Sequence, residues 1–338
     1  MAKNVTPGGL MLVISTDTEN RTGWFVRSYI GNSKNVVIPG LHDGIPIIGI
    51  DNDAFHDCDR IETVLLTDNI THIGHDAFRN CESLSSITLP RKVSFIGEAA
   101  FYNCQSLKIA KILGKVDSIP NQAFAECNSL HTVIMPDSVE IIEPSAFENC
   151  TSLSEINIPE GVTEIGAKAF NRCRMLTILT LPSTLKRIHH RAFSDCENLV
   201  SLILRNPLID VSEFAFSYCN KITEIVLPEG FDIERLSEIE STEEDEDDFD
   251  ICDDFDDIDD DSIDYDRLEE SYTESILNRL TNPLVLKRNA SYSNPRDLVA
   301  ARFNIQSAPL VHDGGVRSSL HGDFVIFNDS GSCIYART

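Results

Sequence analysis

The chain has 338 residues, of which 42% are hydrophobic, and a formal net charge of −26 at neutral pH. That length allows one large or two ordinary domains with a sizeable core. No apolar run approaches the roughly 20 residues that a membrane-spanning helix needs, so we expect no membrane insertion. The negative charge is local, because residues 234–274 carry 22 acidic and 2 basic side chains, which leaves a net charge of −6 for the rest. With no basic excess, nucleic acid is not an expected partner.

The first 50 residues predict a cap over the amino-terminal end of the fold. Trp24–Ile30 is rich in β-forming residues and reads as a hairpin strand, with Trp24 as part of the cover. Residues 36–50 resemble a degenerate first turn. The apolar run Met11–Ile14 is too short for a signal-peptide core, and no small-residue cleavage site comes after it. The sequence therefore predicts a cytoplasmic location, with the cell surface or secretion as the alternative.

An internal repeat dominates the middle of the chain. The motif Ala-Phe-x-x-Cys occurs eight times with a spacing of 23 residues and no insertion or deletion. We number the repeats one to eight by their phenylalanines, which are Phe55, Phe78, Phe101, Phe124, Phe147, Phe170, Phe193 and Phe216. A strict period of this length indicates a solenoid, in which each unit packs on its neighbours.

Each unit divides into three parts. Asp-Ala-Phe-x-x-Cys predicts a short helical turn, and Leu-x-x-Ile-x-Leu predicts a strand that usually ends at a proline such as Pro90. A second short strand comes next, for example Val93–Gly97. Repeats three and seven carry Leu113 and Arg205 where proline is expected, and repeat three has Ala110 at an inward position. We expect those turns to be looser or bent.

Eight of the ten cysteines share one position of the repeat, next to the core phenylalanine. Stacked turns would place them about 5 Å apart, within reach of a disulfide by distance alone. Their side chains would point in parallel, which favours buried free thiols over a ladder of disulfides. No Cys-x-x-Cys or similar cluster is present, so we expect neither a metal site nor a cofactor.

The unit Ile-Gly-x-x-Ala-Phe-x-x-Cys-x-x-Leu-x-x-Ile-x-Leu-Pro-x-x-Val-x-x-Ile resembles the BspA-like class of leucine-rich repeat, a family of bacterial surface-antigen type. The resemblance covers about residues 50–230. It implies a leucine-rich-repeat solenoid, β-rich with short helical turns: a curved right-handed coil of eight 23-residue repeats with caps. It also implies a binding function, which in exported members of the family includes adhesion.

The predicted strands also carry outward residues, which vary while the inward ones recur. Parallel stacking would align them into two columns on one face of the solenoid. This pattern predicts a surface for a protein partner. The candidate contact residues are Leu65, Thr88, Ile109, Lys111, Ile134, Glu155, Asn157, Ile178, Thr180, Ile203 and Val226. Lys108, Lys111 and Lys115 form a small basic group beside them.

Composition divides the chain into four segments: a cap (1–50), the solenoid (51–230), an acidic segment (231–274) and a C-terminal segment (275–338). The acidic segment predicts a disordered linker, or a segment that folds onto a basic partner through its interleaved Phe and Ile residues. The C-terminal segment predicts a small domain or a cap on the last repeat. Within it, Phe324–Phe327 and Ser332–Tyr335 read as a hairpin.

No motif for catalysis is present. His312, Asp313 and His321 form the only cluster that suggests acid–base chemistry, and we favour the interpretation that they are polar loop residues near Gly314 and Gly315. The sequence therefore predicts a non-enzymatic binding or scaffold module that uses the strand face. The alternatives are a regulator whose acidic segment engages a basic partner or mimics nucleic acid, and a surface adhesin. An enzyme acting through residues 275–338 is the remaining hypothesis.

Overall fold

The computed structural model describes residues 4–212 and 214–231, together with the backbone of three strands nearer the C-terminus. Most repeats contribute a front strand and a back strand. The front strands are β3 (Asn35–Val37), β6 (Thr63–Leu65), β8 (Ser86–Leu89), β10 (Ile109–Ile112), β12 (Thr132–Ile134), β15 (Ile178–Thr180), β17 (Ser201–Ile203) and β19 (Glu224–Leu227). The back strands are β5 (Ile45–Ile50), β7 (His72–Ile73), β9 (Phe95–Ile96), β11 (Ser118–Ile119), β13 (Ile141–Ile142), β14 (Glu164–Ile165), β16 (Arg187–Ile188) and β18 (Asp210–Val211).

The remaining strands lie at the two ends of the solenoid. They are β1 (Leu10–Thr16), β2 (Thr22–Tyr29), β4 (Leu41–His42), β20 (Val285–Arg288), β21 (Phe324–Phe327) and β22 (Cys333–Arg337).

Neighbouring front strands pair in parallel, as do neighbouring back strands, and from β6 and β7 onward the paired residues are 23 positions apart. One repeat is therefore one turn of a β-solenoid, as predicted. Each column of strands is interrupted once among the described residues, the front strands between β12 and β15 and the back strands between β9 and β11. The prediction that repeats three and seven are looser does not hold for their front strands, because β10 pairs with β8 and β12, and β17 pairs with β15 and β19. In repeat three the back strand β11 does not pair with β9.

An antiparallel hairpin covers the amino-terminal end of the solenoid. β1 pairs with β2, and β2 pairs in parallel with β5. The Trp24 side chain is 6% exposed within the core, and its indole Nε1 donates to the His42 carbonyl at 2.9 Å. In the hairpin turn the Asp17 carboxylate accepts from the Arg21 amide at 2.8 Å and from the Thr71 hydroxyl at 2.8 Å. The Thr71 contact ties the hairpin to a residue 54 positions further along the chain.

A single stack of phenylalanine rings forms the centre of the core. Seven of the eight rings are 0% exposed and Phe216 is 5% exposed. Consecutive ring centroids lie 4.9–5.5 Å apart with planes 3–10° from parallel. The stack runs without a gap past both interruptions of the strand columns, as do the backbone hydrogen bonds between the phenylalanine turns, such as Phe101 N to the Ala123 carbonyl at 2.9 Å. At each interruption the opposite column of strands stays paired.

The repeated cysteines are free thiols in the structure. From Cys81 to Cys219, each Sγ donates to the carbonyl of the phenylalanine 26 positions earlier, at 3.1–3.4 Å. Burial raises the pKa of Cys81 and Cys173, which keeps these thiols protonated as donors. The repeated cysteines are free and mostly buried, as expected of small apolar residues, and the structure adds a weak hydrogen bond from each of the seven thiols.

The segment that contains the phenylalanine is a series of turns, not the helical turn that the sequence predicts, and no described residue is in a helix. In repeat one, the amides of His56 and Cys58 donate to carbonyls three residues earlier. Asp53 and Asp57 have φ angles of 56° and 59°. A left-handed residue every fourth position reverses the chain and prevents a continuous helix. It also leaves the Phe55 amide free to bond the Ala77 carbonyl of the next turn, at 2.8 Å.

The second left-handed position of each repeat carries a ladder of side chains. Asn80 Nδ2 donates to Asp57 Oδ1 at 2.8 Å, and Asn103 Nδ2 donates to Asn80 Oδ1 at 2.9 Å. Asn149 Nδ2 continues the pattern onto Glu126 Oε1. Asparagine tolerates a positive φ better than most residues because its short side chain bonds locally. In the next repeat Arg172 occupies this position with a φ of 60°.

We expect Arg172→Asn to raise the free energy of unfolding by about 1 kcal/mol, because it relieves the left-handed strain of arginine and extends the amide ladder to Asn149. Denaturant unfolding measures the change. Arg91→Asn is the matched control, since Arg91 lies in an exposed turn at an ordinary φ. We expect the control to change stability by less than about 0.5 kcal/mol. Equal effects of the two substitutions would contradict the strain argument.

Three strands near the C-terminus extend the last front sheet. β20 pairs in parallel with β19 and with β21, and β21 pairs with β22 in antiparallel fashion. The β21–β22 pair confirms the hairpin predicted there. Phe231 is the last residue described before β20, so the acidic segment otherwise lies outside the described residues, as does most of 275–338. The division of the chain into four segments stays a prediction.

Candidate functional site

The front strands present two columns of outward side chains, which we call the strand face. In β3, β6, β8, β10 and β12 the residues of one column are Val37, Leu65, Thr88, Lys111 and Ile134. The neighbouring column contains Asn35, Thr63, Ser86, Ile109 and Thr132. Residues between these positions, such as Val64 and Ile87, point inward and are at most 8% exposed. The alternation of the strands thus separates a repeating core from a varied surface.

The structure places most of the predicted contact residues at this surface. Leu65 is 62% exposed and Ile134 is 45% exposed. Thr88, Lys111, Glu155 and Asn157 are exposed too, while Ile109, Ile178 and Thr180 are half-buried.

Two predicted contact residues are not accessible. Ile203 and Val226 are 4% and 3% exposed, and they form a small cluster with Ile178, separate from the main core. Aliphatic side chains at the same outward position of adjacent strands pack on one another, and this contact reduces the solvent exposure of Ile203 and Val226. The exposed part of the strand face therefore lies on β3 to β12 and on the next turn of the solenoid, at Glu155 and Asn157.

Glu155 and Asn157 lie where the front sheet is interrupted. Residues 153–159 form no strand, and the described ladders stop at β12 on one side and at β15 on the other. Glutamate and asparagine are both depleted in strands, which fits an interruption at this repeat. These two side chains therefore do not belong to a continuous column with Ile134.

The sequence prediction missed Val37. It is 59% exposed and lies beside Leu65 in the register of β3 and β6. The pairing is 28 residues apart instead of 23, so a search at the fixed period does not find it. The pattern Val36-x-Ile38-Pro39 repeats the form of Ile87-x-Leu89-Pro90 and was the available signal.

A cluster of basic residues lies at the strand face and in the turns beside it. Its members, which we call the basic cluster, are Arg91, Lys92, Lys108, Lys111 and Lys115. All five are exposed, and none makes an ion pair with a described residue. Lys92 and Lys115 occupy equivalent positions in adjacent turns. Glu98 is the only acidic residue in positions 91–115, so this part of the solenoid is locally positive.

Chemically reactive groups are sparse in the part of the chain that the structure describes. Burial raises the pKa of the half-buried Cys58 thiol to about 11, so it is not a nucleophile at neutral pH. His189 Nε2 lies 2.6 Å from Glu164 Oε1 in a partly exposed pair. No three His, Cys, Asp or Glu side chains are grouped to hold a metal ion among these residues. The suggested cluster of His312, Asp313 and His321 lies outside the described residues.

The described residues also contain no helix that is both long and apolar enough to cross a lipid bilayer.

Solved structures similar to this chain are bacterial leucine-rich repeat proteins. One from Eubacterium ventriosum is 23% identical over 51% of this chain and 46% of its own, with a TM-score of 0.44. The leucine-rich repeat protein of T. pallidum is 25% identical over 64% of this chain and 90% of its own, with a TM-score of 0.44. One from Bacteroides ovatus is 18% identical over 64% and 69%, with a TM-score of 0.43. The chain thus spans about half the length of the first of these proteins.

No curated protein matches the sequence. The family described as "BspA type Leucine rich repeat region (6 copies)" matches residues 48–177 and 140–268. Together the two matches cover more than half of the chain. The repeat motif, the 23-residue turn and this match agree, and the chain belongs to the BspA-type leucine-rich repeat family.

Proposed function

We propose that the protein is a non-enzymatic binding or scaffold module whose strand face docks another protein. One observation carries this proposal: the outward positions of β3 to β12 vary and are exposed, or half-buried at Ile109 and Thr132, while the inward positions recur and are buried. A solenoid needs only the inward positions for folding. The outward positions are free to specify a partner.

The chemistry of the strand face favours a particular kind of partner. Val37, Leu65 and Ile134 are aliphatic side chains that are 45–62% exposed in one column. Lys111 lies between Leu65 and Ile134, and the rest of the basic cluster lies beside it. Interfaces commonly combine apolar anchors with a polar or charged rim that steers the approach. We infer a protein partner with apolar side chains flanked by acidic ones.

The alternative site is the acidic segment. Its net charge of −20 would attract a basic partner through long-range electrostatics, and such binding weakens steeply with salt. The strand face is the stronger candidate because its geometry is fixed by the solenoid, which reduces the entropy lost on binding. A binding module of either kind suits the cytoplasm or, as in the adhesin alternative, the cell surface; fractionation of the native cells distinguishes the two.

The test compares proteins retained by the full chain with those retained by variants, identified by mass spectrometry and then measured singly. We expect the double variant Leu65→Asp and Ile134→Asp to weaken binding of the retained partner by about thirtyfold or more, because it places a charge at two exposed apolar positions of the column. The matched control is Leu208→Asp, since Leu208 is 77% exposed in a turn away from the front strands. The control is expected to bind as the parent chain does.

Deletion of 234–274 separates the two sites. If binding of the partner is unchanged by the deletion but is lost in the strand-face variant, the proposal is supported. If the deletion abolishes binding, salt weakens it and the strand-face variant leaves it unchanged, the acidic segment is the binding site. Equal loss with the strand-face variant and with Leu208→Asp would refute a specific role for the face.

A further inference from the structure

The interruption between the back strands β9 and β11 has a definite cause. In other turns the amide directly after the back strand donates to the preceding turn: Gly97 N to the Ile73 carbonyl at 2.8 Å, and Glu143 N to the Ile119 carbonyl at 2.9 Å. Pro120 occupies this position after β11, and proline has no N–H to give to the Ile96 carbonyl. The two turns therefore lack the bond that joins their neighbours.

The interruption leaves polar groups of Ser94 without partners among the described residues. At the equivalent place one turn earlier, the Thr71 carbonyl accepts from the Ser94 amide at 2.9 Å and from the Phe95 amide at 3.3 Å. No described residue donates to the Ser94 carbonyl. The Ser94 hydroxyl is buried without a hydrogen-bond partner, whereas the Thr71 hydroxyl donates to Asp17 Oδ2 at 2.8 Å. Buried polar groups are almost always paired, so the Ser94 hydroxyl, together with the unused carbonyl of the same residue, indicates a missing partner.

A cavity of about 260 Å³ lies at the same place. Ser94 and Phe95 line it from one turn, and Asp117 and Ser118 line it from the next. The His72 ring stacks on the Phe95 ring, with centroids 4.4 Å apart and planes 9° from parallel. The next residue in this column is Ser118, which is too small to continue the stack. The cavity therefore has room for one further planar group, stacked on the face of the Phe95 ring opposite His72.

The charged groups around the cavity are acidic. Glu98, Asp117 and Glu143 line it, and no lysine or arginine does so among the described residues. Glu143 already accepts from the Asn121 amide at 3.0 Å and from the Ser118 hydroxyl. Glu98 and Asp117 are exposed, with no cation paired to them among the described residues. His75 Nδ1 accepts from the Glu98 amide at 3.1 Å.

We propose that this cavity binds the guanidinium group of an arginine side chain. A guanidinium is planar, carries five donors and no acceptor, and stacks on aromatic rings. It would lie on Phe95 opposite His72, pair with the carboxylates of Asp117 and Glu98, and donate to the Ser94 carbonyl. This site is formed by the back strands, so it is independent of the strand face and goes beyond the function proposed above.

The first test measures binding of acetyl-Gly-Arg-Gly-amide to the full chain by calorimetry. The citrulline peptide is the ligand control, because it has the same shape without the charge. We expect saturable binding of the arginine peptide and at least about tenfold weaker binding of the citrulline peptide, since both the ion pair and the cation–π contact are lost. Equal binding of both peptides, or none at millimolar concentration, would overturn the proposal.

Substitutions of the cavity residues test whether the arginine peptide binds in the cavity. Asp117→Asn and Phe95→Leu are each expected to weaken arginine binding about tenfold. Glu140→Gln is the matched control: it is the equivalent exposed residue one turn on, where the ladder is intact and Thr163 N donates to the Glu140 carbonyl at 2.8 Å. If Asp117→Asn and Phe95→Leu leave the affinity for the arginine peptide unchanged, the cavity is not the site. The same conclusion follows if Glu140→Gln weakens binding as much as they do.

Pro120→Ala provides an independent test that keeps Ser94, Phe95, Glu98 and Asp117, the residues proposed to contact the guanidinium, and changes one residue of the cavity wall. The alanine amide can donate to the Ile96 carbonyl, which would draw the two turns together and fill the interruption with the ordinary ladder bond. We expect arginine binding to fall at least about tenfold while the residue-120 amide becomes protected from hydrogen exchange. A protected amide together with unchanged binding would contradict the proposal.

Discussion

Truncating Phe124 to alanine is expected to lower the free energy of unfolding by about 3–5 kcal/mol. Phe124 is 0% exposed in the middle of the ring stack. Its ring lies 5.2 Å from that of Phe101 and 5.5 Å from that of Phe147. The substitution removes both ring contacts and leaves a cavity that the flanking turns cannot fill, because their own strand and turn bonds hold them in place. Denaturant unfolding of the full chain measures the loss.

Leu65→Ala is the control for the core prediction. Leu65 is 62% exposed on the strand face, so its truncation should change stability by less than about 0.5 kcal/mol. The same variant tests whether strand-face residues can be changed without disturbing the fold. A loss for Phe124→Ala no larger than that of Leu65→Ala would contradict the ring stack as the centre of the core.

Replacing Asp17 with alanine is expected to cost about 2–4 kcal/mol, since hydrogen bonds to a buried charged acceptor are among the stronger ones. The Asp17 side chain is 0% exposed. Its carboxylate accepts from the Glu19 and Arg21 amides, from Arg21 Nε at 2.6 Å and from the Thr71 hydroxyl. Alanine would leave the two amides of the turn unpaired and untie the hairpin from the solenoid. Thermal or denaturant unfolding measures the cost.

The pH dependence of Asp17 gives the same prediction a second readout. Burial tends to raise the pKa of Asp17, but hydrogen bonds from Arg21 and Thr71 outweigh it, so the pKa lies below its ordinary value. A carboxyl with a lowered folded-state pKa contributes its stability above its unfolded pKa of about 3.9 and loses it as the pH falls through the folded value. The gap in stability between parent and Asp17→Ala should therefore be widest above about pH 4 and shrink below it.

Glu19→Ala is the matched control in the same turn. The Glu19 side chain is 54% exposed and pairs with Arg21 at the surface, which is worth at most about 1 kcal/mol. Its removal should leave the acid dependence unchanged. Loss of the acid dependence with Glu19→Ala instead of Asp17→Ala would place the titrating group elsewhere.

The strand face and the arginine cavity use the same scaffold in different ways. The strand face extends over several turns because the front strands from β3 to β12 alternate between inward and outward residues. The cavity exists because one residue, Pro120, breaks the regular bonding of the back strands at one turn. Both features fit one fold, because the ring stack and the backbone hydrogen bonds between the phenylalanine turns run past each interruption.

The sequence by itself determined the solenoid. Eight copies of Ala-Phe-x-x-Cys at one spacing predict eight turns with equivalent residues in register, so that the phenylalanine rings of successive turns lie next to one another. The alternation of Leu-x-x-Ile-x-Leu likewise separated inward from outward residues, and it placed Leu65, Lys111 and Ile134 correctly at the surface. These features are local and periodic, so a single chain reveals them without coordinates.

The tertiary structure decided what depends on contacts between turns. Ile203 and Val226 have the same pattern as Ile134 but are buried, because their neighbours in adjacent strands pack against them. Val37 joins the strand face across a 28-residue pairing that the fixed period does not contain. Successive left-handed turns replace the predicted helical turn because the Phe55 amide bonds the next turn instead of its own. The hydrogen bond that Pro120 cannot donate is identified only by comparison with the equivalent amides of other turns, such as those of Gly97 and Glu143, which bond the preceding turn.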